Sequence, residues 1–124
     1  METNHLARAE EYYKLIGEKN AEGIKKYIHP DVKFYSPMAT LSGKESVIEA
    51  TSNFMNVFKS LTIRAKFSSG DQAMIVYDVD IPGIAKDFPG ASLLSFSEDL
   101  IVRIQLFYDG SHLAEKRKEV FSKN

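Results

Sequence analysis

The sequence predicts an α+β fold, in which helices come first and a curved antiparallel sheet follows, with the helices packed on one side. Up to Phe58 the apolar residues recur mainly at helical spacing, and from Leu61 they alternate between turn signals. Size is the third observation. A chain of 124 residues without cysteine is read as one domain, 1–124, with a core that needs no disulfide.

Thr3 is placed to cap a helix running to about Gly17, with Leu6, Ala9, Tyr13 and Ile16 on its apolar face and Tyr12 and Leu15 widening it. Asn20 caps a short second helix, Ala21 to Tyr27, which His29-Pro30-Asp31 breaks. Val32 to Ser36 alternates as a strand, and Pro37 to Gly43 reads as a loop. Ser42, with Glu45 three residues on, makes a capping box for a helix from Lys44 to Phe58. Leu61 to Phe67 and Ala73 to Asp80 are strands joined by the turn Ser68-Ser69-Gly70-Asp71. Pro82-Gly83 and Pro89-Gly90 bound a loop. Ala91 to Phe96 and Leu100 to Asp109 are the last strands, joined tightly through Ser97-Glu98-Asp99. A short amphipathic helix, His112 to Phe121, is expected after them.

Composition excludes several classes. The net charge is −1 and the pI near 6.3, so no basic field exists to draw a phosphate backbone. The one basic cluster, Lys116 to Lys118, is interrupted by Glu115 and Glu119 and reads as a solvated helix face. No apolar run is long enough for a membrane helix, and METNHLARAEEYY lacks the order of a signal peptide. A cytoplasmic protein is expected. Three dispersed histidines make no metal site, and no glycine-rich phosphate loop exists, so neither metal nor cofactor is expected.

The last strand, LIVRIQLFYD, carries Arg103, Gln105, Phe107 and Asp109 on one parity. That parity faces either water or a polar cavity. The chemistry of the protein depends on which.

The order YYKLIGEKNAEGIKKYIHPDVKFYSP, then SGKESV, then VRIQLFYD, resembles the SnoaL-like family of the NTF2-like superfamily across nearly the whole chain. The resemblance implies a cone-shaped α+β fold, three N-terminal helices packed on a strongly curved, mostly antiparallel sheet around an apolar pocket. It also implies frequent homodimers through the open sheet face. The family includes ketosteroid isomerases, polyketide cyclases, epoxide hydrolases and proteins without catalysis, so the fold alone does not choose a function. Compared with the isomerases, the oxyanion-hole tyrosine falls at Tyr12. The general-base position holds Ser36, and the stretch that supplies a second acid, Ala91 to Leu94, has none. Steroid isomerase activity is therefore not expected.

The same register turns Arg103, Gln105 and Phe107 of the last strand, and Met74, Val76, Asp78 and Asp80 of the middle strand, toward the pocket. A one-residue slip would reverse both. On this reading Asp78, Arg103, Asp109 and Tyr12 are the candidate catalytic groups: Arg103 pairs with Asp78, and Asp109 serves as acid or base if desolvated. Tyr35, Phe54, Phe58, Gln105 and Phe107 are the candidate ligand-binding residues. The alternatives are a structural ion pair or a solvent-facing strand, and a plain aromatic core. Both faces of several strands are rich in aliphatic groups, so a second subunit is a candidate cover for the face the helices leave open. A small apolar or cyclic molecule is the expected ligand, with isomerase, cyclase or hydrolase chemistry; the alternative is binding without turnover, or a dimeric structural or interaction module.

Overall fold

The computed structural model describes residues 4–109. The expected helix His112 to Phe121, the basic cluster and the Thr3 cap lie outside the described residues.

Helix α1 spans His5–Gly17, and Asn4 caps it, its side chain accepting from the Ala7 N–H at 3.0 Å. Asn20 caps α2, Ala21–Ile24, which tightens into a 3-10 turn at Lys25–Tyr27. Strand β1, Ile28–Tyr35, starts before Pro30, so the chain extends earlier than the sequence suggests. The expected loop contains a three-residue strand, β2, Thr40–Ser42, paired with β1. Helix α3 spans Lys44–Met55. Its N-cap is Gly43 at φ +94°, not Ser42, and no side chain caps it. The capping box therefore does not form.

Four long strands follow: β3, Ser60–Ser69; β4, Gln72–Ile81; β5, Ala85–Ser97; and β6, Leu100–Phe107. Strand β5 reaches back through most of the expected loop and includes Pro89. That stretch extends past the pairing with β6, which ends at Ala91↔Phe107, so among the described residues β5 has one neighbour there, β4, and tolerates proline as an edge strand does.

The sheet order is β2-β1-β6-β5-β4-β3, with β1 parallel to β6 and every other pair antiparallel. This corrects the expectation of a cone built on a strongly curved sheet. The strands form one open, mixed sheet with β2 and β3 as its separate edges, and it is not strongly curved. Helix α1 packs over β3 and β4, and α3 packs over β1 and β2. The core lies between helices and sheet, with Ile24, Ile75, Leu94 and Ile101 wholly buried. Each such side chain contributes about 1.5–3 kcal/mol of transfer free energy.

Candidate functional site

Between α1, α3 and the sheet lies an apolar cavity of about 60 Å³. Helical spacing brings Tyr12, Tyr13 and Ile16 of α1 to one wall, and Ala50, Thr51 and Phe54 of α3 to another. The floor is the inner parity of β4 (Tyr77, Val79 and Ile81), with Gly90 of β5 and Ile104 of β6 beside it. Phe88 and Tyr108 meet edge to face at 5.9 Å across the remaining side. Among the described residues lining this space, none is charged.

Its polarity comes from hydroxyls. Ser92 is the one fully buried polar residue described, at 0% exposure. Its Oγ lies 2.5 Å from the Tyr13 hydroxyl and 3.0 Å from that of Tyr77. The two tyrosine rings stack with centroids 5.2 Å apart. Burial pushes the ionisation of Tyr12, Tyr13, Tyr77 and Tyr108 upward in every case; neighbouring hydroxyls oppose it, Thr51 at Tyr12, Ser92 at Tyr13 and Tyr77, and Ser36 at Tyr108. All four phenols therefore stay protonated at neutral pH.

Two hydrogen bonds join three hydroxyls in the Tyr13–Ser92–Tyr77 cluster, which uses two of its three protons. The third proton is left to point between the tyrosines or into the cavity. Such a cluster can donate to a neutral oxygen or accept from a hydroxyl. It offers no carboxylate or imidazole to take a proton from carbon. Ser36 does not fill that gap. Its Oγ donates to the Ala39 carbonyl at 3.1 Å and accepts from the Met38 and Ala39 N–H groups, which ties it into a turn. No group of three or more metal-ligating side chains occurs among the described residues.

The residues singled out in the sequence divide between the two sides of the sheet. Tyr12 and Phe54 line the cavity. Phe58 is buried behind Phe54, ring centroids 4.9 Å apart. Asp78, Arg103, Gln105 and Phe107 lie on the opposite, outer face, which corrects the expected register on both strands. On β4 the buried positions are Ala73, Ile75, Tyr77, Val79 and Ile81, so Asp78 points away from the helices. On β6 a bulge sets Phe96 against Ile101 and Ser95 against Arg103. Val102 is passed over, and Ile104, Leu106 and Tyr108 turn inward.

Asp78 and Arg103 do not meet. They sit opposite Pro89 and Ser95, six positions apart along the intervening β5. Asp78 pairs instead with Arg64 at 3.4 Å, and Arg103 lies over the ring of half-buried Tyr35, 4.7 Å from its centroid. Asp109 is exposed just past the end of β6.

Sequence reasoning missed Tyr13, Tyr77 and Ser92 as a unit. Tyr13 lies on a helix face that reads as plain core, and Tyr77 on the β4 parity that the family-like register turned away from the pocket. A serine between Ala91 and Leu93 is noticeable only once its strand is known to be inward there.

The fold recurs in solved structures. A steroid delta-isomerase from Pseudomonas aeruginosa superposes with a TM-score of 0.80 at 23% identity, covering 97% of this chain and 90% of that one. An NTF2-like protein of unknown function from Cytophaga hutchinsonii gives 0.79 at 18% identity, covering 92% and 97%. A hypothetical protein with a ketosteroid isomerase-like fold from Catenulispora acidiphila, in complex with trimethylamine, gives 0.69 at 22% identity, covering 89% and 92%. At these identities the likeness is one of fold. No curated protein matches the chain. The model of the SnoaL-like domain matches residues 9–104, from the middle of α1 into β6, where the cavity walls lie. The chain thus belongs to the SnoaL-like family of the NTF2-like superfamily, related to the ketosteroid isomerases and polyketide cyclases.

Proposed function

We propose that this protein binds a compact, uncharged, largely apolar molecule, with one polar atom held by the Tyr13–Ser92–Tyr77 hydroxyls. The observation that carries this reading is the neutrality of the lining. No charged side chain among the described residues borders the cavity, and its phenols are held protonated by burial. An ionised ligand would lose its hydration with no opposite charge to replace it. Ligand sites in general are apolar with a few placed polar groups, and this cavity has that chemistry in a much smaller volume, which restricts it to a compact molecule.

Binding without turnover is favoured over isomerase, cyclase or hydrolase chemistry. The family includes enzymes, but a proton abstraction needs a base within hydrogen-bond reach, and none is supplied by the described residues of the lining. The test is a titration followed by protein NMR with cyclopentanone, its hydrocarbon counterpart cyclopentane, and cyclopentanecarboxylate. Cyclopentanone should bind most tightly, with shifts at the cavity residues. Ser92→Ala should narrow its advantage over cyclopentane, because the two phenols lose their shared partner. Tighter binding of the carboxylate, or no binding of any of the three, would sink the proposal.

We also infer that the outer sheet face pairs with a second copy of the chain. Phe67 is 60% exposed and Phe107 44%, and half-buried Met74, Val76 and Leu93 lie between them on the same side. Sedimentation should give a dimer that Phe107→Lys converts to a monomer. A monomeric wild-type protein would end that inference.

A further inference from the structure

Pro89-Gly90 stood out in the sequence as a loop boundary, yet Gly90 lies within β5, in register with Tyr77. Its φ does not fall in the left-handed region, so backbone conformation does not require glycine there. Space does. A Cβ built at residue 90 would lie 2.9 Å from Cε1 of Tyr77 and 3.4 Å from its Cζ. The phenol ring thus lies across the bare Cα of its cross-strand partner. It leans two residues along β5, where its hydroxyl meets Ser92.

Both Gly90 and Tyr77 border the cavity. The ring is flanked on its other side by Tyr13, stacked at 5.2 Å. A side chain at residue 90 could be accommodated only by swinging the Tyr77 ring away from β5. The ring would then leave Ser92 and take up cavity space.

We infer that Gly90 is the specificity-determining position of this site, acting through Tyr77: its missing side chain sets both the free volume and the placement of the hydroxyl cluster. This rests on the ligand-binding reading above. It adds that binding selects by size and polarity through one contact, the Tyr77 ring on the Gly90 backbone. One methyl group at residue 90 should then exclude ligands that the wild-type cavity admits, and it should do so only while the Tyr77 ring is present.

The experiment is a double-mutant cycle of Gly90→Ala and Tyr77→Val, with cyclopentanone affinity read by NMR titration and the Tyr77–Ser92 distance read from crystal structures. Gly90→Ala alone should weaken cyclopentanone at least about tenfold, the scale of one methyl group in an apolar pocket. Its crystal structure should show the Tyr77 hydroxyl withdrawn from Ser92. In the Tyr77→Val background the same alanine should change affinity by less than about twofold, since no ring remains to be displaced.

Should Gly90→Ala fail to fold alone while the double variant folds and binds, the conflict with the ring is still demonstrated. The inference is overturned if Gly90→Ala binds as the wild type does with the Tyr77–Ser92 contact kept. It is equally overturned if alanine weakens binding as much without the ring as with it, or if neither alanine-containing variant folds. Absence of cyclopentanone binding by the wild type would instead remove the ligand-binding reading beneath it.

Discussion

The inner and outer faces of the sheet are built by the same strands from opposite parities. On β4 the inner set is Ala73, Ile75, Tyr77, Val79 and Ile81, and the outer set is Met74, Val76, Asp78 and Asp80. The inner face carries its polarity as buried hydroxyls that bond to one another. The outer face carries charges that pair along the surface, Arg64 with Asp78, or lie on an aromatic ring, Arg103 on Tyr35. Ionisable side chains attract attention in a sequence, but on β4 and β6 they mark the face turned away from the helices. The polar groups of the cavity are the uncharged ones, which can be buried without a counterion.

The largest effects should separate the faces by stability. Ile75 is wholly buried, and Ile75→Ala should cost about 2–5 kcal/mol in urea unfolding. Its outer neighbour Val76 is half-buried, and Val76→Ala should cost less, about 1 kcal/mol. Equal losses would mean that the outer face is covered as thoroughly as the inner one in the protein under test. Repeating the pair at low protein concentration, where any dimer dissociates, distinguishes cover by a second copy from cover by the chain itself.

The next difference is one of pH. The phenols of Tyr12, Tyr13, Tyr77 and Tyr108 have folded-state pKa values raised above the ordinary value of 10.0, chiefly by burial. Their neutral forms are therefore favoured by folding. That contribution is fully present below pH 10 and is lost as pH rises through the folded values. In an alkaline absorbance titration, these four of the six tyrosines should resist ionisation near pH 10 and then ionise together with the loss of tertiary structure. Ionisation of these four near pH 10 with the fold intact would show that water reaches the hydroxyl cluster.

Much of this architecture was legible in the sequence. Leu6, Ala9, Tyr13 and Ile16 marked α1, Asn20 marked the start of α2, and the alternation of β4 marked its length. The misses have a common physical cause. Strand β2 is three residues long and exists through its pairing with β1, which no local pattern announces. The cap of α3 is a glycine in a left-handed conformation, so the Ser42-x-x-Glu45 pattern had no backbone to act on. The faces of β4 and β6 came from a family-like register, although the unbroken apolar parity of β4 pointed the other way. On β6 the parity Leu100, Val102, Ile104 and Leu106 is wholly apolar and also pointed the other way, while a bulge at Val102 changes phase between Ile101 and Ile104, so strict alternation fails over the first residues of the strand. The candidate site inherited that error: Tyr12 and Phe54, placed by helix periodicity, line the cavity, whereas Arg103 and Asp78, placed by strand parity, do not.

The smallest expected effect is at Arg103, the residue that stood out most in the sequence. Its side chain is exposed, it does not meet Asp78, and its described contact is the Tyr35 ring. A cation over an aromatic ring at an exposed site contributes about 0.5–1 kcal/mol. Arg103→Ala should therefore destabilise the fold by no more than about 1 kcal/mol and leave cyclopentanone binding unchanged. Arg103→Lys keeps the charge but not the planar stacking surface, so it should fall between alanine and wild type in stability. A buried ion pair broken on one side would cost several times more, about 3–5 kcal/mol. A loss of that size, or a loss of ligand binding with the fold intact, would place Arg103 on the cavity side and reverse the assignment of the two faces. A small loss with unchanged binding confines the chemistry to the hydroxyl cluster. The reason is geometric: within β6 the inward positions that line the cavity are Ile104 and Leu106, which carry no charge.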